Sequence, residues 1–371
     1  MGAVFGLMVC KKKSSRYFTR GSFSWRISMI AKKIGLKTVV FDPTSLDVTG
    51  RTLKLFDGTL WRRGSLPHVI YDRCFLTGSN YKRKYAAFIK RLKRNSSTSF
   101  LGYGLRDKWS VYQQILANEL LAKYLPYTMP YTSFEQLRDL LFDKHSLILK
   151  PTSSCQGRGV LLLRKHSNQV AICGRTTGNE ALEQLLPLDD MSRWLSSFVG
   201  GRKYIVQQAL NLNTHDNRPF DLRILMQKDG RGNWYKTGQA VRIGSRNGVT
   251  SNLHGGGEAC EWSEFCDREL RSFDLQTLNT TIDEVTGALP SYVEKKHGIL
   301  CELGIDLGVD VHQKQLWLLE VNSRPGRTIF KRIGDLKTFK RAYILPVLYA
   351  KSLADKLQYR LTESPVYQNH F

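Results

Sequence analysis

The chain has 371 residues, of which 42% are apolar and 11% aromatic. This composition excludes a disordered protein and allows one large hydrophobic core or two to three smaller ones. No apolar run approaches the roughly 18 residues that a membrane helix needs. Residues 1–10 have no positive charge before their apolar part and run into three lysines, which is the wrong order for a signal peptide. Gly6 stands where a myristoylation motif needs Ser or Thr, so we expect a cytoplasmic protein without a membrane partner.

The net charge of +24 is unevenly distributed along the chain. Residues 1–110 contain 23 Lys and Arg against 5 Asp, a net charge of +18, which leaves +6 for the other 261 residues. Such asymmetry indicates an acidic or polyanionic partner or substrate, although a solvated basic face or a homo-oligomer contact gives the same pattern. No base-reading module accompanies the basic residues, so nucleic acid is the less favoured partner.

Seven cysteines are present, an odd number without any CxxC pair. Cys260 and Cys266 could form a zinc site with His254, but their spacing is irregular and the fourth ligand is missing. Free buried thiols are the better interpretation.

The predicted elements begin with an alternating α/β unit. Strands are predicted at VFGLMV, KTVVFD and HVIYDRC, and helices at SFSWRISMIAKKIG and NYKRKYAAFIKRLKR. TLKLFDGTLWRR carries Asp57-Gly58 between two strand-like runs, which indicates a tight hairpin. NSSTSFLGYG then breaks the pattern. We therefore predict an N-terminal α/β domain over residues 1–100.

The remaining residues predict a mixed α+β body. KWSVYQQILANELLAKYL is predicted as one long helix, SLILKP and KYIVQQAL as strands, and a further helix is expected within residues 267–297. Hairpins are predicted at VLLLRKHSNQVAICG, FDLRILMQKDGRGNWYKTGQAVRIG and GIDLGVDVHQKQLWLLEVN. The last helix, LKTFKRAYILPVLYAKSLADKL, contains Pro346 and is expected to bend. We predict a catalytic domain over residues 101–350 and a C-terminal tail over residues 351–371.

The predicted strand in LWLLEVNSRPG, residues 316–326, contains Glu320 and Asn322. Successive side chains alternate along a strand, so these two polar groups point the same way. A hairpin would bring Asp306, from the preceding GIDLGVD, to the same spot. Oxygen donors of this kind suit Mg²⁺. The alternative is an edge strand with a solvated polar face, which the apolar LWLL makes less attractive.

Three further segments could take part in ligand binding. Lys150 ends the strand SLILKP, and SSCQGRG follows it; a cation beside exposed backbone N–H groups can hold phosphate. YIVQQAL could present backbone groups to adenine, although alone it also fits ordinary core. Asp221 and Arg223 share one strand face. Ser251 and Asn252 begin SNLHGGG, whose glycines allow close approach by a ligand, with a mobile surface loop as the alternative.

These pieces have an order that resembles the ATP-grasp superfamily: Lys108, Lys150 with its loop, the YIVQQAL hinge, DxR, SNLHGGG and Asp…ExN. SNLHGGG and EVNSRPG look like the ribosomal-protein glutamate ligases and glutathione synthetases. AKKIGLKTVVFD, LPHVIYDR and DKWSVYQQIL are similar to the YheC/YheD group, often labelled endospore coat-associated. The resemblance covers about residues 1–350. It implies an α+β, ATP-grasp fold in which two α+β subdomains clamp a nucleotide behind an N-terminal α/β pre-ATP-grasp domain, and it adds spore association to the expected location.

The resemblance also implies residue roles. Lys108 and Lys150 would contact the phosphates of ATP. The remaining nucleotide-binding positions would be Gln207, Gln208, Leu210, Asp221, Ser251 and Asn252. The positions around the reacting groups would be Arg223, Asn252 and Arg324. Two Mg²⁺ ions, with Mn²⁺ as a substitute, would be held by Asp306, Glu320 and Asn322. Gln207 stands where relatives often have Glu, and the segment before DxR is longer than in the glutamate ligases, so the ribose-binding residue stays unassigned.

The activity implied by the resemblance is a two-step ligation. A substrate carboxylate attacks the γ-phosphate of ATP to give an acylphosphate and ADP, and an amine then displaces phosphate. Mg²⁺, Lys150 and Arg223 could neutralise charge and align the reactants. No convincing Ser/His/Asp or Cys/His arrangement occurs, in agreement with a reaction that needs no side-chain nucleophile. Two alternatives stay open: a kinase that uses the same site, and a non-catalytic coat or interaction protein on this scaffold.

Overall fold

The computed structural model describes residues 3–10, 18–74, 79–154, 157–246, 248–251 and 256–363. Within these ranges, helices and strands are mixed along the chain and the strands form three sheets. The α+β prediction is therefore confirmed. No helix in the described ranges combines the length and the apolar character that crossing a membrane requires.

The first sheet combines a parallel half with an antiparallel hairpin. Its strands are β1 (Val4–Met8), β2 (Lys37–Phe41), β3 (Thr52–Phe56), β4 (Trp61–Ser65), β5 (Val69–Asp72) and β6 (Ser99–Gly102). Their order is β4-β3-β2-β1-β5-β6, with β2, β1, β5 and β6 parallel. Helix α1 (Phe23–Lys33) connects β1 to β2, and α2 (Ser79–Lys93) connects β5 to β6. Because β2 and β5 lie on opposite sides of β1, the order reverses between β1 and β5, where ligand-binding crevices open at the carboxyl ends of strands.

The second sheet is antiparallel throughout. Its strands are β7 (Thr128–Pro130), β8 (Ser146–Pro151), β9 (Leu161–His166), β10 (Gln169–Arg175), β11 (Ala181–Pro187) and β12 (Tyr204–Gln208), in the order β11-β10-β9-β8-β12-β7. Helices α5 (Phe134–Lys144) and α6 (Met191–Val199) pack apolar side chains such as Leu141 and Leu195 onto one of its faces. The opposite face carries the side chain of Lys150 and is left for the cleft described below.

The third sheet is also antiparallel and lies between two helical layers. Its strands are β13 (Phe220–Lys228), β14 (Trp234–Ile243), β15 (Glu258–Cys260), β16 (Glu302–Asp310) and β17 (Gln315–Asn322), in the order β15-β14-β13-β16-β17. The helices on one face are α3 (Lys108–Leu116), α7 (Trp262–Glu269) and α8 (Leu275–His297). Those on the other face are α9 (Thr328–Arg332) and α10 (Leu336–Glu363).

A buried polar network joins the first sheet to the third. The carboxylate of Glu302, 1% exposed on β16, accepts hydrogen bonds from the hydroxyl of Tyr71 (2.6 Å), from Arg73 (3.0 Å) and from the amide of Gln227 (3.1 Å). It is also ion-paired with the buried Arg327. Separating a buried carboxylate from its hydrogen-bond and ion-pair partners is costly. This network therefore fixes the first sheet against the third.

The prediction of one long helix at KWSVYQQILANELLAKYL is wrong. The segment forms α3 and a separate short helix, α4 (Glu119–Ala122). The side chain of Asn118 accepts a hydrogen bond from the N–H of Leu121 (3.0 Å) and caps α4. Asn competes for backbone N–H groups and is favoured at N-caps over helix interiors.

Several elements were not predicted from the sequence. Strand β6 lies inside NSSTSFLGYG, which had been predicted as a break. Further elements missed in the same way are α5, α6, α7, α9, β7, β11 and β15. The domain boundary predicted at residue 100 falls within β6 and that at residue 350 falls within α10, and the division into domains stays a prediction.

Candidate active site

A cleft of about 1100 Å³ is lined by residues of the second and third sheets and by a residue that follows a strand of the first. Lys150 comes from the second sheet, Arg223 and Glu320 come from the third, and Arg73 directly follows β5 of the first. The residues predicted from the sequence that line it are Lys108, Lys150, Gln207, Gln208, Leu210, Asp221, Arg223, Ser251, Asp306, Glu320, Asn322 and Arg324. Asn252, the remaining one, lies outside the described residues.

Strand register explains why the polar residues of the third sheet face one way. Arg223 on β13 lies opposite Asp306 on β16, and Asp306 lies opposite Glu320 on β17. Asn322 lies opposite Gly304, two residues from Asp306. The hairpin predicted around the Asp…ExN motif is therefore present, and it brings these groups to one face.

The carboxylate of Asp306 is enclosed by two arginines. It is 5% exposed and forms a two-point ion pair with Arg223, with 2.9 Å from Nη2 to Oδ2. Nη2 of Arg242 lies 2.9 Å from the same oxygen. Burial alone would raise the pKa of Asp306, but the Arg223 and Arg242 guanidiniums outweigh it and lower the pKa. Asp306 is therefore an ionised carboxylate with both oxygens engaged.

Arg242 was missed by the sequence reasoning. On β14 it lies opposite Asp221, and its Nε donates to Oδ1 of Asp221 (2.6 Å). Burial disfavours its charge, but Asp221 and Asp306 together raise the pKa of Arg242. The hydroxyl of Ser251 donates to Oδ2 of Asp221 (2.7 Å). Asp221 thus pairs with Arg242 and accepts a hydrogen bond from Ser251. The sequence signal for Arg242 was an arginine on the strand that follows DxR.

Glu320 is more accessible than Asp306, with 32% of its side chain exposed, and it is ion-paired with the ammonium of Lys108. Lys108 starts α3, where Asp107 caps the helix through the N–H of Ser110 (3.2 Å). The N–H of Lys108 also donates to the carbonyl of Thr152 (2.9 Å), just after β8. The start of α3 is therefore tied to the second sheet while its lysine reaches the third.

Lys150 is half-buried on β8, and its ammonium donates to the side-chain carbonyl of Gln207 (2.8 Å). The amide of Gln207 in turn donates to the hydroxyl of Thr128 (2.8 Å). Burial, and next the charge of Lys108, lower the pKa of Lys150 to about 8. The two lysines are thus close enough to repel each other. In the predicted hinge, the N–H of Gln208 donates to the carbonyl of Tyr127 (2.9 Å) and is already engaged.

Arg324 lies against the end of β5 in the first sheet. Its Nη2 donates to Oδ2 of Asp72 (2.7 Å), at the carboxyl end of β5. A Cβ added to Gly104 would lie 2.7 Å from that Nη2, so a larger residue there would displace the guanidinium from this position. Asp72 was not predicted as a site residue, although its position at a strand end, in VIYDR, is a usable signal.

The oxygen donors of the cleft fit a magnesium ion by their chemistry. Asp306, Glu320 and Asn322 offer carboxylate and amide oxygens, which Mg²⁺ prefers. Glu320 already faces a cation, the ammonium of Lys108, so positive charge is stabilised at this position. In the part of the chain that the structure describes, no three His, Cys, Asp or Glu side chains come together as a metal site, so the third oxygen donor here is the Asn322 amide. Cys260 and Cys266 are free thiols, and burial raises the pKa of each to about 11; His254 lies outside the described residues.

The fold is that of an ATP-grasp protein. Among solved structures, D-alanyl-alanine synthetase A from Vibrio cholerae O1 biovar eltor aligns with a TM-score of 0.58 at 10% identity, covering 97% of this chain and 100% of that one. D-cycloserine synthetase DcsG aligns with a TM-score of 0.55 at 13% identity, covering 95% and 99%. At such identities the likeness shows the fold alone.

The profile of the YheC/D like ATP-grasp family matches residues 97–353, and the chain belongs to this family. It is 27% identical over 320 residues to the endospore coat-associated protein YheC of Bacillus subtilis (strain 168), covering 84% of this chain and 87% of that protein. It is 26% identical over 303 residues to YheD of the same organism, covering 78% of this chain and 64% of YheD. The resemblance to the YheC/YheD group found in the sequence is therefore confirmed.

Proposed function

We propose that the protein is an ATP-dependent carboxylate–amine ligase that acts through an acylphosphate on an amino acid or peptide substrate. The observation that carries this proposal is one cleft lined by Lys108 and Lys150, whose charges repel each other, by the Arg223–Asp306 pair and by the Glu320 carboxylate. Membership of an ATP-grasp family and a fold shared with two synthetases support it.

The chain's own residues would bind and align the reactants. The ammonium groups of Lys108 and Lys150 would bind phosphate oxygens of ATP, and residues 207–210 would receive the adenine between the second and third sheets. Arg223, held by Asp306, would orient the reacting carboxylate through a guanidinium whose planar donors match that group. Arg324, next to the first sheet, would contact the incoming substrate. Asn252 and Ser251 would complete the phosphate side, and Asp221 would keep Arg242 and Ser251 in place.

Glu320 and Asn322 would hold Mg²⁺, together with Asp306 through the remaining lone pair of its Oδ1, which also accepts from Arg223. When bound, this ion supplies positive charge that neutralises the phosphate oxygens during phosphoryl transfer. A second ion and replacement by Mn²⁺ stay predictions. Glu320 would exchange its ion pair with Lys108 for the metal, which releases the lysine for phosphate.

The proposed reaction has two steps. In the first, an oxygen of the substrate carboxylate forms a bond to the γ-phosphorus while the bond to the ADP oxygen breaks. In the second, the nitrogen of an amine forms a bond to the acyl carbon while inorganic phosphate leaves and the amine releases a proton. Both steps develop negative charge on oxygens that face Lys150 and Arg223, and fixed cations in a cleft stabilise such charge.

The test is ADP release by the purified chain with ATP and Mg²⁺, screened over amino acids and acidic peptides, with mass spectrometry of the products. The proposal predicts ADP together with a joined product that requires both a carboxylate and an amine. A phosphorylated substrate without joining would establish the kinase alternative. Absence of ADP release with every substrate pair, in a chain that binds ATP, would favour a non-catalytic protein. The variant Glu320→Gln serves as the inactive control.

The names of the relatives favour a second proposal, which is compatible with the first: association with the endospore coat. Both Bacillus subtilis relatives are described as endospore coat-associated. A tagged chain produced in sporulating Bacillus subtilis should then appear in the coat fraction. Recovery of the chain from the mother-cell cytoplasm alone would contradict the coat association and would favour the expected cytoplasmic location.

A further inference from the structure

Two cysteines meet at the point where the strand order of the first sheet reverses. Cys10 lies two residues beyond the end of β1, and Cys74 lies two residues beyond the end of β5. In the parallel pairing of these strands Met8 lies opposite Asp72, and the N–H of Arg73 extends the pairing by donating to the carbonyl of Met8 (2.9 Å). The same register places Cys10 opposite Cys74.

Both side chains point to the same face of the sheet. Every second side chain along a strand lies on the same face. Cys10 therefore lies on the face of Met8, and Cys74 lies on the face of Ile70. Met8, Ile70 and Cys74 belong to one buried cluster between the sheet and α2, and Cys10 packs against that cluster. The thiol of Cys10 is close enough to the thiol of Cys74 to shift its pKa. This contact, and after it burial, raise the pKa of Cys74.

We propose that Cys10 and Cys74 are a modification site at which the chain forms an intramolecular disulfide. Neighbouring parallel strands lie about 4.8 Å apart, and a disulfide needs a Cα–Cα separation of roughly 4.4–6.8 Å. Continuation of the parallel register beyond Met8 and Asp72 would therefore bring the two Cα atoms within that range. Cys260 and Cys266 do not offer this geometry by register, because Cys260 belongs to β15 and Cys266 to α7.

The burial of the two thiols assigns their roles. Cys10 is half-buried and open to a small oxidant, whereas Cys74 is fully buried. With a peroxide as oxidant, the sulfur of Cys10 bonds to one peroxide oxygen while the O–O bond breaks, which leaves a sulfenic acid and water. The sulfur of Cys74 then bonds to the sulfur of Cys10 while the S–O bond breaks, and the departing hydroxide takes the proton of Cys74 as water. The two thiols lose two electrons in total, and the peroxide is reduced to two waters.

The cross-link would lie at the wall of the cleft. The carboxylate of Asp72 accepts a hydrogen bond from the N–H of Cys74 (2.9 Å) and also holds Arg324. A disulfide would therefore fix the strand end on which Arg324 depends. The inference does not depend on the proposed ligase activity, since it rests on the pairing of β1 and β5 alone.

The test uses the full chain, reduced and then treated with limiting hydrogen peroxide. Thiols titrated after denaturation should fall from the seven in the sequence to five. Tryptic peptides should include a cross-linked pair, residues 1–11 joined to residues 74–82, lighter than the two free peptides by two hydrogen atoms. The oxidised chain should also unfold at a higher temperature than the reduced one, because a cross-link restricts the unfolded chain.

Two variants sharpen the result. Cys10→Ser, with six cysteines, should keep all six thiols after the same treatment. If the serine variant folds poorly, Cys74→Ala, which keeps the half-buried Cys10 thiol, should lose at most that one thiol to a sulfenic acid and should give no cross-linked peptide. Cys173→Ser removes a half-buried cysteine of β10 as a matched control, and its six thiols should fall to four. Seven thiols remaining in the unaltered chain, a cross-link between other cysteines, or Cys10 oxidised to sulfinic acid without a cross-link would each overturn the proposal.

Discussion

The ammonium of Lys108 is paired with the carboxylate of Glu320, although 212 residues separate them in the chain. Lys108 begins α3, whose backbone is tied to the end of β8, and Glu320 lies on β17. The pair therefore spans the cleft between the second and third sheets. A carboxylate that already binds a cation at this place is the natural candidate to exchange it for a metal ion.

The first prediction concerns Glu320→Gln. If Glu320 holds Mg²⁺ beside the phosphates, this variant should lose at least about 100-fold in turnover, and its ATP affinity should become much less dependent on Mg²⁺. Its stability should change by less than about 1 kcal/mol, because the ion pair that it breaks is partly exposed. Steady-state ADP release and isothermal titration with and without Mg²⁺ measure these effects.

The matched control for that prediction is Glu284→Gln, which alters an exposed glutamate on α8 outside the cleft. It should leave turnover and Mg²⁺ dependence unchanged. Mg²⁺-dependent activity that survives in Glu320→Gln would remove this residue from the metal assignment.

The second prediction concerns the protonation of Lys150. Burial and Lys108 lower the pKa of this lysine to about 8, so its ammonium is lost as the pH rises through that value. If the ammonium binds phosphate, the Kd for ATP should rise above about pH 8, approaching tenfold per pH unit until the complex itself titrates. Lys150→Arg should remove this dependence, because arginine keeps its charge in proteins. Titration calorimetry between about pH 7 and about pH 10 measures it.

Lys150→Met should weaken ATP binding most below about pH 8, where the unaltered lysine is charged, and should leave the unliganded chain nearly as stable as before. Lys144→Met, at an exposed lysine of α5, is the comparison and should behave like the unaltered chain. A large loss of stability in Lys150→Met with normal ATP affinity would show that the lysine is structural.

The third prediction compares the contributions of Asp306 and Glu320 to stability. Asp306→Asn leaves Arg223 and Arg242 close together without their shared carboxylate, and removing one partner of a buried pair costs about 3 kcal/mol. The folded-state pKa of Asp306 lies below its ordinary value of 3.8, so its contribution is present above that value and is lost as the pH falls through the lower folded-state pKa. Urea unfolding at neutral and at acidic pH measures both effects. Equal stability of Asp306→Asn and Glu320→Gln would contradict the network.

The fourth prediction concerns the basic N-terminal third. An acidic substrate is attracted by its net charge of +18, and such attraction is screened over about 10 Å at 0.1 M salt. The KM for the substrate should therefore rise steeply with salt, and the KM for ATP should rise less. Reversing two exposed charges near the end of α2, Lys90→Glu with Arg94→Glu, should reproduce the effect with little change in kcat.

The control for this pair is Arg138→Glu with Lys144→Glu on α5, which changes the total charge by the same amount at the second sheet. It should raise the KM for the substrate much less. If neither salt nor either pair of charge reversals changes the KM for the substrate, the basic residues form a solvated face without a role in attracting the substrate.

Local patterns in the sequence were sufficient to predict which side chains share a strand face and where a tight hairpin forms. The alternation of side chains along β17 placed Glu320 and Asn322 on one face, and the turn at Asp57-Gly58 predicted the β3–β4 hairpin. Both depend on neighbours a few residues apart, where strand period and turn chemistry act directly. The break between α3 and α4 is also local, and the helical propensity around Asn118 concealed it.

By itself the sequence determined the mixed order of helices and strands, the family, and which polar residues share a strand face, because strand period, turn chemistry and motif order are written along the chain. Only the tertiary structure decided the partners of those residues. Arg242 meets Asp306 because β14 lies beside β13 and β13 beside β16, and Arg324 meets Asp72 because the first sheet packs against the third. Contacts of this kind join residues far apart in the chain and depend on strand order and sheet packing. No periodic pattern within one element encodes them, so they had to be seen in the folded molecule.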